Sequence, residues 1–182
     1  ATYSKAHNML GQLDVADGRP EAALPRLERA VALDPQRRFE YFRRNLAEAL
    51  ISAGRFSDAA DVLGEAVEQF PKSAALKSWL ALVLAASPDP ALWAPPRAVR
   101  EARAAAALGG ADPIHRLALA IALHRAERNA EALRMLTEAR ASGSKDPIGD
   151  AVEALVRRAL GEDEAARKAL AAAEAEIEPE DP

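Results

Sequence analysis

Chemistry needs a nucleophile, a base or a metal site held in one place. The histidines are His7, His115 and His124, and there is no cysteine. His115 and His124 stand nine residues apart, outside the four-residue spacing that puts two ligands on one helix face. His7 lies far away in the chain, so each histidine reads as a packed or surface residue. Without cysteine there are no disulfides, thiolates or cysteine zinc sites. Gly109-Gly110 reads as a helix-ending turn, and no phosphate-binding glycine loop is present. The many carboxylates lie beside arginines on helix faces, as solvated pairs do. The expectation is no catalytic residue, no metal, no cofactor and no enzyme.

The elements around those residues are helical. Glu40–Ser73 contains two helix-period segments, split by Ala53-Gly54-Arg55-Phe56 and closed by Pro71. Neither buries its apolar stripe alone, and similar pairs lie on both sides. A small residue recurs early in each second helix: Ala23, Ala59, Ala98, Ala132 and Ala166. Another alanine follows seven residues later: Ala30, Ala66, Ala105, Ala139 and Ala173. Between them come Leu27, Leu63, Ala102, Leu136 and Leu170. First helices carry Gly11, Ala47, Ala81, Ala120 and Ala154, preceded by Leu10, Leu46, Leu80 and Leu119; Glu153 breaks that series. Antiparallel helices approach closely only where side chains are small, and leucines fill the space beside them. Aromatics at 4% and hydrophobics at 49% suit such packing. The expected fold is all-α.

The net charge of −4 and pI near 5.5 argue against nucleic acid, whose partners carry clustered basic surface. No apolar run is long enough to span a bilayer. Ala1 in place of a start methionine fits a processed form or a piece of a longer chain.

The spacing near 34, the Leu-Gly or Leu-Ala pairs, the second-helix alanines and Asp34-Pro35 together resemble the tetratricopeptide repeat family. The resemblance runs over nearly the whole chain, with units at about 4–37, 40–73, 74–111, 113–146 and 147–179, and an acidic ending over 174–182. It implies a right-handed α-solenoid. Departures fall at the ends, where Asp14 and Arg157 replace a usual large apolar residue. In unit three Ser87–Pro96 replaces a short link, with four prolines that cannot continue a helix. That long turn is similar to a repeat variant of bacterial multidomain proteins. Gly18 and Gly54 should end first helices in the left-handed conformation. Pro20 and Pro96 suit helix starts, and Pro25 should distort its helix.

The resemblance also implies a concave face, lined by first helices, that binds an extended peptide or a partner helix. By position its peptide-binding residues are Asn8, Gln12, Tyr41, Arg44, Asn45, Glu48, Ser78, Leu82, Leu117 and Ile121. Lys5, Trp79, His124, Arg125, Val152, Leu155 and Arg158 stand beside them. Asn45 falls where relatives often hold a ligand backbone, since an amide both donates and accepts; it also reads as bonding its own neighbours. The cluster Arg37, Arg38, Arg43 and Arg44 has two readings, a solvated patch and an interface anchor with Tyr41. Leu82, Leu117, Ile121 and Leu155 make the C-terminal half apolar, so a second copy of the chain is a further candidate partner. The remaining alternative is a non-catalytic, substrate-presenting region of a larger protein. The basic residues of the family's chaperone-tail clamp are missing, so no such tail should bind.

Overall fold

The computed structural model describes residues 2–36, 38–110, 112–141 and 146–177. Within them are ten α-helices and no strand. The helices are α1 (Thr2–Ala16), α2 (Pro20–Ala32), α3 (Glu40–Ser52), α4 (Phe56–Gln69) and α5 (Ala74–Ala86), then α6 (Pro95–Gly109), α7 (Pro113–Arg125), α8 (Asn129–Ala141), α9 (Pro147–Ala159) and α10 (Asp163–Ile177). Residues 37, 111 and 178–182, which include one arginine of the predicted cluster and the end of the acidic tail, lie outside the described set.

Local chemistry sets the helix ends. Proline occupies the first turn of α2, α6, α7 and α9, where its missing N–H costs nothing. Ser73, Asp112 and Asp146 cap α5, α7 and α9 by accepting from the backbone N–H groups of Leu76, Ile114 and Ile148. Gly18 and Gly54 follow α1 and α3 at φ of 72° and 75°, the left-handed region that favours glycine. α2 continues as a helix through Ala32 with Pro25 inside it. Pro25 and Glu21, whose carbonyl loses its i+4 donor, both lie on the exposed side, where water can satisfy that carbonyl.

Each odd-numbered helix packs on the next as an antiparallel hairpin, and each hairpin packs on its successor. The second-helix alanines are all buried, as their spacing required. Gly11 shows why a small residue is needed opposite them: a Cβ there would lie 2.6 Å from Leu27 Cγ. Two apolar clusters result. One joins Leu24 and Leu27 to Leu46 and Leu50. The larger runs from Leu63 through Leu80 and Leu123 to Val156. Ile51 and Val62 touch both, so the core is continuous along the stack. Two expected core leucines differ: Leu10 and Leu170 are exposed, because each belongs to an outermost described helix, on which no further described hairpin packs.

Successive first helices α1, α3, α5, α7 and α9 also touch one another, whereas second helices splay apart. The stack therefore curves inward along its first helices. This is an α-solenoid.

Candidate protein-binding groove

The concave surface is built from three register positions of the first helices, repeated along the stack. One row is Lys5, Tyr41, Ala75, Ile114 and Ile148. The second is Asn8, Arg44, Ser78, Leu117 and Ala151. The third is Gln12, Glu48, Leu82, Ile121 and Leu155. Positions three and four residues apart share a helix face, so the rows lie side by side. Residues of the third row are all exposed or half-buried.

The N-terminal floor of the groove is an amide chain. Asn45 Nδ2 donates to Asn8 Oδ1 at 3.0 Å, and Asn8 Nδ2 donates to Gln12 Oε1 at 3.1 Å. Arg44 reaches Asn45 Oδ1 at 3.4 Å. Asn8 and Asn45 are buried, so a ligand would reach them only by displacing this chain. Above them Tyr41 packs edge-on against Phe42, and Phe39 lies 5.7 Å from the Tyr41 ring. Lys5 lies over the Phe39 ring at 5.0 Å, which gives this end a cationic rim.

In the middle, Ser78 is buried, with its Oγ 2.8 Å from His115 Nδ1. His115 fills the space beside Gly109, where a Cβ would meet its ring at 1.9 Å. Trp79 is half-buried against the core, as are Leu117 and Ile121. His124 Nδ1 meets Asn129 Oδ1 at 2.7 Å. Arg125 turns away from the groove: it stacks over Trp93 at 3.6 Å and donates from Nε to the Ala85 carbonyl at 2.7 Å. Trp93 Nε1 donates to the Ser87 carbonyl at 2.8 Å within the long turn, and the Ala94 N–H donates to the Leu84 carbonyl at 3.2 Å, so the turn is anchored to both α5 and α7. Val152 is buried, while Leu155 and Arg158 stand exposed.

At its C-terminal end the groove opens into a cleft of about 860 Å³ between α7, α8, α9 and α10. Ile114 and Leu117 form its apolar wall. The opposite wall is an ionic network. Arg140 pairs with Asp150 and, at 2.9 Å, with Glu153; Arg157 pairs with Glu153 and Glu162, both at 2.6 Å. The hydrogen bond that Arg157 donates to Glu153 leads the causes that raise the Arg157 pKa above its ordinary value. Two residues that broke the repeat pattern, Glu153 and Arg157, thus satisfy each other. Asp14 is handled alike: it is buried and held by Arg19 and Arg26. The sequence offered a signal for the first pair, since the two are four residues apart, but none for Arg140.

Among the described residues no group of three or more His, Cys, Asp or Glu side chains could hold a metal ion. None of the described helices is long and apolar enough to cross a membrane.

Residues 14–83 match a family model described as tetratricopeptide repeat. No curated protein matches the sequence. Solved structures match over nearly its full length. The thermophilic tetratricopeptide-repeat protein TTC0263 of Thermus thermophilus is 20% identical, with a TM-score of 0.78 over 98% of this chain and 93% of that one. MamA 41-end of Desulfovibrio magneticus RS-1 is 15% identical, with a TM-score of 0.75 over 100% of this chain and 99% of that one. In the Cut9–Hcn1 hetero-tetramer of the APC/C, the match has 16% identity and a TM-score of 0.78, over 93% of this chain and 33% of the other. Residues 14–83 thus carry tetratricopeptide-repeat sequence, and the described chain as a whole has the solenoid fold of these solved structures.

Proposed function

We propose that the chain is a non-catalytic protein-interaction scaffold whose first-helix groove binds a peptide or helix of a partner protein. Each hairpin serves as one repeat unit, with the boundaries given by the sequence. The supporting observation is the row Leu82, Ile121 and Leu155, three apolar side chains left open or half-open along consecutive first helices. Water-facing apolar stripes of this kind mark interaction surfaces. Leu117 widens the stripe toward the cleft.

The two halves then have different tasks. Glu48, Gln12, Tyr41 and Arg44 offer polar and aromatic contacts at one end, with Asn8, Asn45 and Ser78 as the floor beneath them. The apolar half takes the hydrophobic side chains of the ligand. Exposed Ile148 and Leu155 also favour a second reading, in which another copy of the chain occupies that half.

The test is site-directed photo-crosslinking from Leu82 and Ile121 in the intact chain, beside Ile121→Glu and Tyr41→Ala/Arg44→Ala variants. A partner crosslinked from both positions and lost in both variants supports the groove. Crosslinks obtained only from the convex helices, or capture unchanged by either variant, sink it.

A further inference from the structure

Four arginines and an apolar base meet in a pocket outside the groove. It has a volume of about 710 Å³ and lies between α6 and the turn that joins α7 to α8. Pro95, Pro96, Val99 and Ala126 form the base. Arg100, Arg103, Arg125 and Arg128 stand around it, with one carboxylate, Glu127, on the lip. None of these residues belongs to the three rows of the concave face.

The fold does not ask for this charge. At the registers of Arg100, Arg103 and Arg125, the junction of α2 with the α3–α4 turn has Pro25, Glu28 and Ser52. The junction after α4 has Asp61, Gly64 and Ala86, and the one after α8 has Arg134, Thr137 and Ala159. Among these junctions only the pocket's has a basic residue at every position. Nor is the base closed over by the cations. The Arg100 and Arg103 side chains are 67% and 50% exposed, and Trp93, against which Arg125 stacks, is 38% exposed.

The arginines are only partly neutralised. Arg100 lies 3.0 Å from Glu101, but Glu101 also holds Lys77 at 3.1 Å. Arg103 lies 3.1 Å from Glu131, but Glu131 also accepts from Arg128 at 2.6 Å. Arg125 has no carboxylate partner among the described residues; Trp93 and the Ala85 carbonyl hold it. Five cations here face three carboxylates, Glu101, Glu127 and Glu131. Arginine and tryptophan are the side chains that most often anchor interfaces, and a guanidinium can grip a carboxylate through two parallel hydrogen bonds.

We propose that this pocket binds a short acidic segment of a partner protein, with its carboxylates on Arg100, Arg103 and Arg125 and an apolar side chain on the proline base. A short segment meets the local charge alone, because exposed charges farther away than a Debye length of about 8 Å are screened. A long polyanion such as nucleic acid would also meet the rest of a chain whose net charge is −4. The site shares no residue with the groove and does not rest on it.

Fluorescence anisotropy with the intact chain tests this. The probe is a labelled peptide, Glu-Glu-Leu-Glu-Glu-Leu-Glu-Glu. The controls are the same peptide with lysine or glutamine for glutamate, and a labelled single-stranded oligonucleotide. The acidic peptide should bind, more weakly as salt rises, and the controls should not. Arg100→Gln/Arg103→Gln leaves Lys77 on Glu101 and Arg128 on Glu131, so both carboxylates keep a partner. Circular dichroism verifies that helicity is kept, and Arg100→Gln alone replaces the pair if it is not. The double variant should weaken binding about tenfold, the worth of two exposed ion pairs. At Glu127 the other short turns have Gly18, Gly54 and Gly161, all at positive φ like Glu127 itself. Glu127→Gly therefore suits the turn and removes the opposing carboxylate, so it should tighten binding. Tyr41→Ala/Arg44→Ala, which alters the groove, should bind the probe as wild type does. A wild-type chain that leaves the acidic peptide free at millimolar concentration overturns the proposal. So does binding unchanged by the arginine variant or by Glu127→Gly, binding lost in the groove variant, or an oligonucleotide that binds better than the peptide.

Discussion

The α2–α3 and α8–α9 junctions occupy the same place in the repeat and are built from opposite chemistry. In the first, Val31, Leu46 and Leu50 make an apolar seam with Leu24 and Leu27. In the second, Arg140, Glu153 and Arg157 stand at the three corresponding positions and pair with one another. Leu136, Val152 and Val156 remain as the apolar part. The fold at a repeat junction thus asks for volume and mutual satisfaction, not for leucine in particular. Apolar residues meet the demand by leaving water. An ion network meets it only if every member is present, because a lone buried charge is expensive. Nearest-neighbour contacts dominate the stability of such stacks, so each seam should answer to its own chemistry.

The largest effect should come from the apolar seam. Leu27→Ala opens a cavity beneath Gly11 and Leu46, and should cost about 2–5 kcal/mol in urea unfolding. Hydrogen exchange should rise first in α1–α3. Protection lost evenly over all ten helices would mean the seams are not separate.

Next comes the ionic seam. Glu153→Ala removes the carboxylate that Arg140 and Arg157 share, leaving them Asp150 and Glu162, and should cost about 1.5–3 kcal/mol, the net worth of a hydrogen bond to a charged group. Arg140→Val with Glu153→Leu and Arg157→Leu installs the residues of the first seam, and should be neutral or more stable by up to about 1–4 kcal/mol. If that triple variant unfolds, the two seams are not interchangeable and the comparison fails.

A third test lies in the hairpin between them. Burial opposes ionisation of Glu101, but hydrogen bonds from Lys77 and Arg100 outweigh it and hold the carboxyl below its ordinary pKa. A depressed folded pKa gives stability that is present above the unfolded value and lost as pH falls through the folded one. Glu101→Gln should therefore be less stable than wild type at neutral pH, and the gap should close in acid. A gap that does not shrink at all as the pH falls through the ordinary carboxylate range and below it contradicts the sign.

The smallest effect is ionic strength. Arg140 is largely exposed, so about 1 M salt should cost the α8–α9 seam only some 0.2–1 kcal/mol, seen as faster exchange in α9 and α10. The α2–α3 seam should not weaken.

Much of this was legible in the residues. The alanines at positions 23, 59, 98, 132 and 166 marked second helices because close packing tolerates little else. Gly18 and Gly54 ended helices because only glycine takes their backbone angles without cost. The groove was less legible. Asn8, Asn45 and Ser78 were read as ligand contacts from position alone, and each lies buried with a partner from another hairpin. Arg125 was placed in the groove, yet Trp93 and the Ala85 carbonyl draw it to the long turn. Those partners are 32 and 40 residues away, and spacing carries no information about which long side chain a distant group will capture.

Local pattern by itself determined the helices, their pairing and the small residues at their crossings, because a helix and its turn are fixed by neighbours within a few residues. Only tertiary structure decided which polar residues were sealed inside, which charges at Glu153, Arg157 and Arg140 found each other, and that Leu10 and Leu170 stay in water. Burial is a property of what lies across the junction. At the two ends of the stack no described residue lies there.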